Sequence, residues 1–137
     1  MASEKSIENR PFSLTRLSIN HFHLGTLDLD IAQNFYQQHF GYFVVGNIPG
    51  KQKIMRLMRN PQNFLLVFEL QSEQQFLPDW FHLGFEVGTK DELASAYQHF
   101  VVSKVEIIEP LKNSPSYASF MLVDPDGYRI QLFWSRR

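Results

Sequence analysis

His21-Phe22-His23-Leu24 and His82-Leu83-Gly84-Phe85 open two stretches of one pattern, with their first histidines 61 residues apart. Eleven residues after each histidine an apolar helical face begins. In the first copy it runs Ala32, Phe35, Tyr36, His39 and Phe40; in the second, Leu93, Ala96, Tyr97, Phe100 and Val101. Both follow the i, i+3, i+4, i+7, i+8 spacing of an amphipathic helix. Two helices in phase with two histidines mark an internal duplication, which outranks any local signal in deciding a fold.

The punctuation agrees. Asp28 and Asp30, and then Thr89 and Asp91, are N-cap and first-turn residues, and Gly41 suits a helix C-terminus. Three strand-like runs follow each helix: residues 43–48, 53–59 and 63–70, then 104–109, 117–123 and 128–134. Pro49-Gly50, Asn60-Pro61 and Asp126-Gly127 supply turns. The polar segment 72–78, ending in Pro78, reads as the linker. The expected class is α+β, with two tandem βαβββ modules forming a curved mixed sheet around a central cup. Residues 1–15 read as a flexible arm and 16–137 as one domain, with module one at about 16–71 and module two at about 79–135.

Composition narrows the function. Cysteine is absent, which removes disulfides, thiolate metal sites and a cysteine nucleophile, and fits a cytoplasmic setting. The net charge is −1 with both signs scattered, so no basic stripe points to nucleic acid and no basic amphipathic helix to a membrane surface. Residues 1–15 hold no apolar core of a signal peptide, and no apolar run reaches the roughly 18 residues of a membrane span. Gly-rich phosphate loops, nucleophile elbows and the His-Glu-x-x-His pattern are also missing.

Strand alternation sorts the polar residues. Over 80–87 one face is Phe81, Leu83, Phe85 and Val87, and the other is Trp80, His82, Gly84 and Glu86. Over 63–70 Glu69 lies opposite Phe64, Leu66, Phe68 and Leu70. Over 128–134 Arg129, Gln131 and Phe133 share the face opposite Tyr128, Ile130, Leu132 and Trp134. His21 and His23 share a face of the first strand. Each module thus offers a histidine on its first strand and a carboxylate or carboxamide on its last, so that His21, Glu69, His82 and Gln131 could meet around a pseudo-twofold axis.

The run from His21 to Gly41, with Asp28, Phe35-Tyr36 and Gly41, resembles the opening of a vicinal oxygen chelate protein. The second opening, His82 to Val87, matches too, as does the close, Asp124-Pro125-Asp126-Gly127-Tyr128-Arg129-Ile130-Gln131-Leu132. This superfamily includes glyoxalase I, bleomycin-resistance proteins, fosfomycin-resistance enzymes and extradiol dioxygenases, and the resemblance spans residues 17–134. It implies a divalent metal (Zn, Ni, Co, Mn or Fe) acting as a Lewis acid on an oxygen-bearing substrate, with His21, His82, Glu69 and Gln131 as ligand positions. Two departures stand out. Gln131 occupies a position where metalloenzymes of the family carry Glu, and an amide cannot serve as a base. Gly25 stands where glyoxalase I carries Arg. Glyoxalase I itself is therefore not expected.

Glu69 is the candidate base, with His23 as a second acid–base candidate or a plain lining residue. Arg129 is a candidate for an anionic substrate group, and Trp80 and Phe133 for stacking; each would also serve as an ordinary rim or packing residue. His39 and His99 lie on helices and are expected to do no chemistry. The favoured function is a metal-dependent lyase, isomerase or dioxygenase acting on a small molecule, in a cytoplasmic homodimer. The alternative is a metal-free binding protein that sequesters a ligand, as in bleomycin resistance, and the third is a degenerate domain serving assembly.

Overall fold

A computed structural model describes residues 12–49 and 54–137. Its elements run β1 (His21–Thr26), α1 (Leu29–Phe40), β2 (Phe43–Pro49), β3 (Ile54–Arg59), β4 (Leu65–Leu70), β5 (Leu83–Glu86), α2 (Lys90–Val102), β6 (Ile107–Asn113), β7 (Tyr117–Val123) and β8 (Arg129–Ser135). The βαβββ order therefore occurs twice. The strands form two four-stranded sheets, ordered β1-β4-β3-β2 and β5-β8-β7-β6. In each, the first strand pairs parallel with the last and the remaining pairs are antiparallel. β1 and β5 are consequently edge strands of separate sheets. Pro49 ends β2, while Gly50 of the expected turn and most of the N-terminal arm lie outside the described residues.

Both helices start where their caps dictate. The Asp28 carboxylate accepts from the backbone N–H groups of Asp30 and Ile31, and Thr89 Oγ1 accepts from Glu92 N–H. Each satisfies donors that the first helical turn leaves open. Gly41 ends α1 at φ 70°, a left-handed conformation that a side chain resists. α1 packs on β2 and β4, and α2 on β6, β7 and β8. The helix-facing rows include the expected ones: Ala32, Phe35 and Tyr36, with Leu66 and Phe68, in one module, and Leu93 and Phe100, with Ile130 and Leu132, in the other; Phe120 and Leu122 of β7 join the second. Val101, expected on the apolar face of α2, is instead exposed, as is Leu70 at the end of β4. Both lie at element ends, where the neighbouring layer no longer covers the row.

Two strands differ from their expected spans. β5 starts at Leu83 rather than at residue 80, because Phe81 N–H donates to Pro78 C=O and closes a turn there. β6 runs from Ile107 to Asn113, later than expected, with register shifts against β7 on either side of Glu109, the second spanning Pro110, which has no N–H for the ladder.

The Asp124-Pro125-Asp126-Gly127 turn clasps one module to the other. Asp124 Oδ1 accepts from the N–H groups of Asp126 and Tyr128, and Asp124 Oδ2 accepts from the Tyr36 hydroxyl on α1 at 2.6 Å. The Asp126 carboxylate accepts from Thr26 Oγ1 at 2.7 Å and from Leu27 N–H at 3.1 Å. Tyr128 donates its hydroxyl to Gly25 C=O at 2.7 Å. Burial pushes the Asp124 carboxyl up to about 6, against the lowering effect of these donors, and raises the Tyr36 hydroxyl well above its usual range. Aromatic contacts continue the joint, with Phe40 of α1 against Phe85 and Phe100.

Candidate functional site

The candidate residues of module one lie on the sheet face turned away from α1. His21 and His23 point there from β1, and Glu69 from β4. In the parallel register His23 stands beside Val67 and Gly25 beside Glu69. The long Glu69 side chain reaches back one step along this ladder, so that its Oε1 lies 3.2 Å from His23 Nε2. The His23 side chain is 50% exposed and that of Glu69 18%. The pair is therefore open on the imidazole side and covered on the carboxylate side. Gln71, two residues on and on the same face, donates its amide to Glu69 Oε2. Period-two alternation would have found Gln71 by extending the face of Glu69 past the strand end.

His21 does not join the pair. Its Nδ1 lies 2.7 Å from Asn20 Oδ1, on the exposed side of the strand. His82 sits in the turn before β5, with Nδ1 3.1 Å from Trp80 C=O. Gln131 in β8 donates its amide to the Tyr117 hydroxyl at 2.9 Å. Phe133 stacks on the same Tyr117 ring, with centroids 6.0 Å apart. Tyr117 thus organises this face of module two. It escaped the sequence reading because its link to Gln131 crosses from β7 to β8 away from direct register.

Arg129 faces the linker, with Nη2 3.4 Å from Asp79 Oδ1. Trp80 is 75% exposed and meets the Phe81 ring at a tilt. Gly25 is overlaid by the linker: a Cβ there would come within 2.9 Å of Cγ of both Gln71 and Gln75. An arginine in this position would have to displace both glutamines.

A divalent metal needs three or more converging donors to be held firmly. Among the described residues no three histidine, aspartate or glutamate side chains come together in that way. His23 and Glu69 supply two donors; His21 and His82 do not complete the set. The residues of one chain therefore do not fit the metal that the sequence resemblance implies. What the arrangement can do alone is hold and move a proton. The Glu69 carboxylate can orient the imidazole of His23, while the exposed ring edge meets a substrate.

No helix among the described residues is long and apolar enough to cross a membrane. Comparison with known proteins turns on fold. No curated protein matches the chain closely in sequence. Among solved structures, a glyoxylase/bleomycin resistance protein/dioxygenase domain from Frankia sp. EAN1pec superposes with a TM-score of 0.75 at 18% identity, covering 90% of this chain and 100% of that one. The fosfomycin resistance protein FosX from Listeria monocytogenes gives 0.73 at 16% identity, with 90% and 95% covered. Lactoylglutathione lyase from Agrobacterium tumefaciens gives 0.67 at 19%, with 88% and 96% covered. At these identities the likeness is one of fold. The family model for the Glyoxalase/Bleomycin resistance protein/Dioxygenase superfamily matches residues 18–132, nearly the whole chain. By that match and by its duplicated βαβββ architecture, the chain belongs to the glyoxalase/bleomycin resistance protein/dioxygenase superfamily.

Proposed function

We propose that this chain acts on a small oxygen-bearing molecule held over the open face of module one, with His23 and Glu69 as its proton-transfer pair. The 3.2 Å approach of His23 Nε2 to Glu69 Oε1, on an accessible face, carries the reading. We place the imidazole proton on Nε2, the nitrogen beside Glu69, which leaves Nδ1 of His23 as an acceptor. Nδ1 takes a proton from a carbon next to a carbonyl, and Glu69 stabilises the imidazolium that results. The same proton, returned to the neighbouring atom, completes an isomerisation; given to a departing oxygen, it completes an elimination. The working setting is the cytoplasm, and Gln71 keeps Glu69 in place.

A second reading makes the chemistry metal-dependent and shared between two copies. A mutant of FosX, of the same fold, has been solved with Mn(II) and 1S,2S-dihydroxypropylphosphonic acid. In a homodimer, His82 and Gln131 of one copy would stand across from His21, His23 and Glu69 of the other.

The test follows carbon-bound hydrogen. A panel of small hydroxyketones and dicarbonyls is incubated with untagged protein in D2O, and deuterium uptake is read by NMR. Metal per chain and molar mass are measured on the same sample. We expect uptake with at least one compound, reduced about 100-fold or more in His23→Gln and Glu69→Gln. Full uptake in both variants would sink the proton-transfer role. Stoichiometric metal found only in a dimer would favour the second reading, and tight binding without any uptake would favour a sequestering protein.

A further inference from the structure

A second cavity lies on the other side of β1. Phe22 alternates with His21 and His23, so its ring turns away from the His23–Glu69 pair. Together with Phe64 and Leu66 of β4, and Leu83 and Phe85 of β5, it lines a cleft of about 560 Å³ between the two modules. That volume is in the range of small-molecule sites, roughly 300–1,000 Å³. Phe22 and Phe64 meet at a tilt, with centroids 5.5 Å apart, and present a wall of ring faces and edges. Water gains little against such a wall, whereas a flat apolar body gains both burial and ring contacts.

The polar groups at the mouth decide which molecule fits. Asn60 Oδ1 is occupied by Phe64 N–H at 2.8 Å. The Glu86 carboxylate is ion-paired with Arg137. His82 also lines the cleft. Its Nδ1 faces Trp80 C=O, which can only accept, so Nδ1 carries the proton and Nε2 is an acceptor. Among the described residues Nε2 has no hydrogen-bond partner. The lining therefore offers an apolar slot, the His82 Nε2 acceptor with the amides of Asn60 and Gln62 beside it, and no unpaired charge.

We propose that this cleft binds a small neutral aromatic molecule carrying a hydroxyl group, with the ring against Phe22, Phe64 and Phe85 and the hydroxyl donating to His82 Nε2. The site is separate from the His23–Glu69 pair, and it gives His82 a role as a hydrogen-bond acceptor rather than a metal ligand.

The probes are 2-naphthol and its methyl ether, 2-methoxynaphthalene, which has the same rings but no donor. Each is titrated into the full chain by calorimetry. We expect saturable binding of 2-naphthol at one per chain, with the ether weaker by about fivefold, the worth of one neutral hydrogen bond. His82→Ala removes that difference between the probes. Phe64→Trp fills the slot and abolishes binding of both, and thermal melting confirms that the variant is folded. Glu69→Gln leaves both affinities unchanged, which keeps this test apart from that of the proton-transfer pair. Any of these results would overturn the proposal: no saturable binding, equal affinities for the two probes in the wild type, a preference that survives His82→Ala, or binding lost in Glu69→Gln. Binding that weakens as the protein is concentrated into dimers would also overturn it, by showing that a second copy covers the cleft. If Phe64→Trp does not fold, the His82→Ala comparison decides alone.

Discussion

Asp124→Asn should stabilise this protein at neutral pH. Asp124 is only 5% exposed, and its carboxyl is pushed up to about 6 from an ordinary 3.8. The folded chain therefore holds a proton there more tightly than the unfolded chain does. Between these two values the native state binds more protons, so stability falls as the pH rises through the window and stays low above it. At roughly 1.4 kcal/mol per pH unit, the full penalty is about 3 kcal/mol at pH 7. Asparagine is close to isosteric and carries no charge to bury. Its Oδ1 still accepts from the N–H groups of Asp126 and Tyr128, and its amide can donate to the Tyr36 hydroxyl, which now accepts. Urea unfolding of wild type and variant at pH 4, 5.5 and 7 reads the effect. The expected difference is small at pH 4 and grows to about 1–3 kcal/mol in favour of the variant at pH 7. A variant less stable than wild type at pH 7, by an amount that does not change with pH, would refute the reasoning. It would show that the charge-assisted bonds of the ionised carboxylate outweigh its burial.

Other perturbations probe separate links. Gly127→Ala places a side chain at φ 87° and brings its Cβ within 3.0 Å of Gln74 Nε2, so the variant should lose about 1–2 kcal/mol of stability in chemical denaturation. Thr89→Ala removes the cap of α2 and should lose about 1 kcal/mol in the same assay, with Thr89→Ser recovering most of it. His39 of α1 and His99 of α2 face each other with Nδ1 2.8 Å from Nε2, and burial first, then His99, lowers the value at which His39 protonates. The unfolded chain takes up that proton more readily, so this contribution is present above the ordinary His value of 6.5 and is lost as the pH falls below it. Melting temperatures from pH 8 to 5 should fall less steeply in His39→Asn than in wild type; equal slopes would mean that the pair carries no pH dependence.

The duplication was legible because it is written in residue types. Histidines, helix faces, caps and the Asp126-Gly127 turn each recur or stand at a spacing that local physics reads directly. The same alternation placed Glu69 and the two β1 histidines on one face and predicted which rows would be buried. Strand ends were less legible, since β5 is shortened by a hydrogen bond to Pro78 C=O and β6 is shifted past Pro110, both products of pairing between neighbouring segments.

What the sequence determined by itself was the α+β class, the two modules, the helix starts and the set of polar side chains available for chemistry. Those follow from periodicity and from backbone preferences that act over a few residues. Only the tertiary structure decided which of those side chains meet. It paired His23, rather than His21, with Glu69, turned Arg129 to Asp79, tied Gln131 to Tyr117, and set His82 at the mouth of an apolar cleft. Face assignment says only that residues look the same way. Whether they touch depends on the register between strands and on how the modules are clasped, and both are set by contacts among residues far apart in the chain.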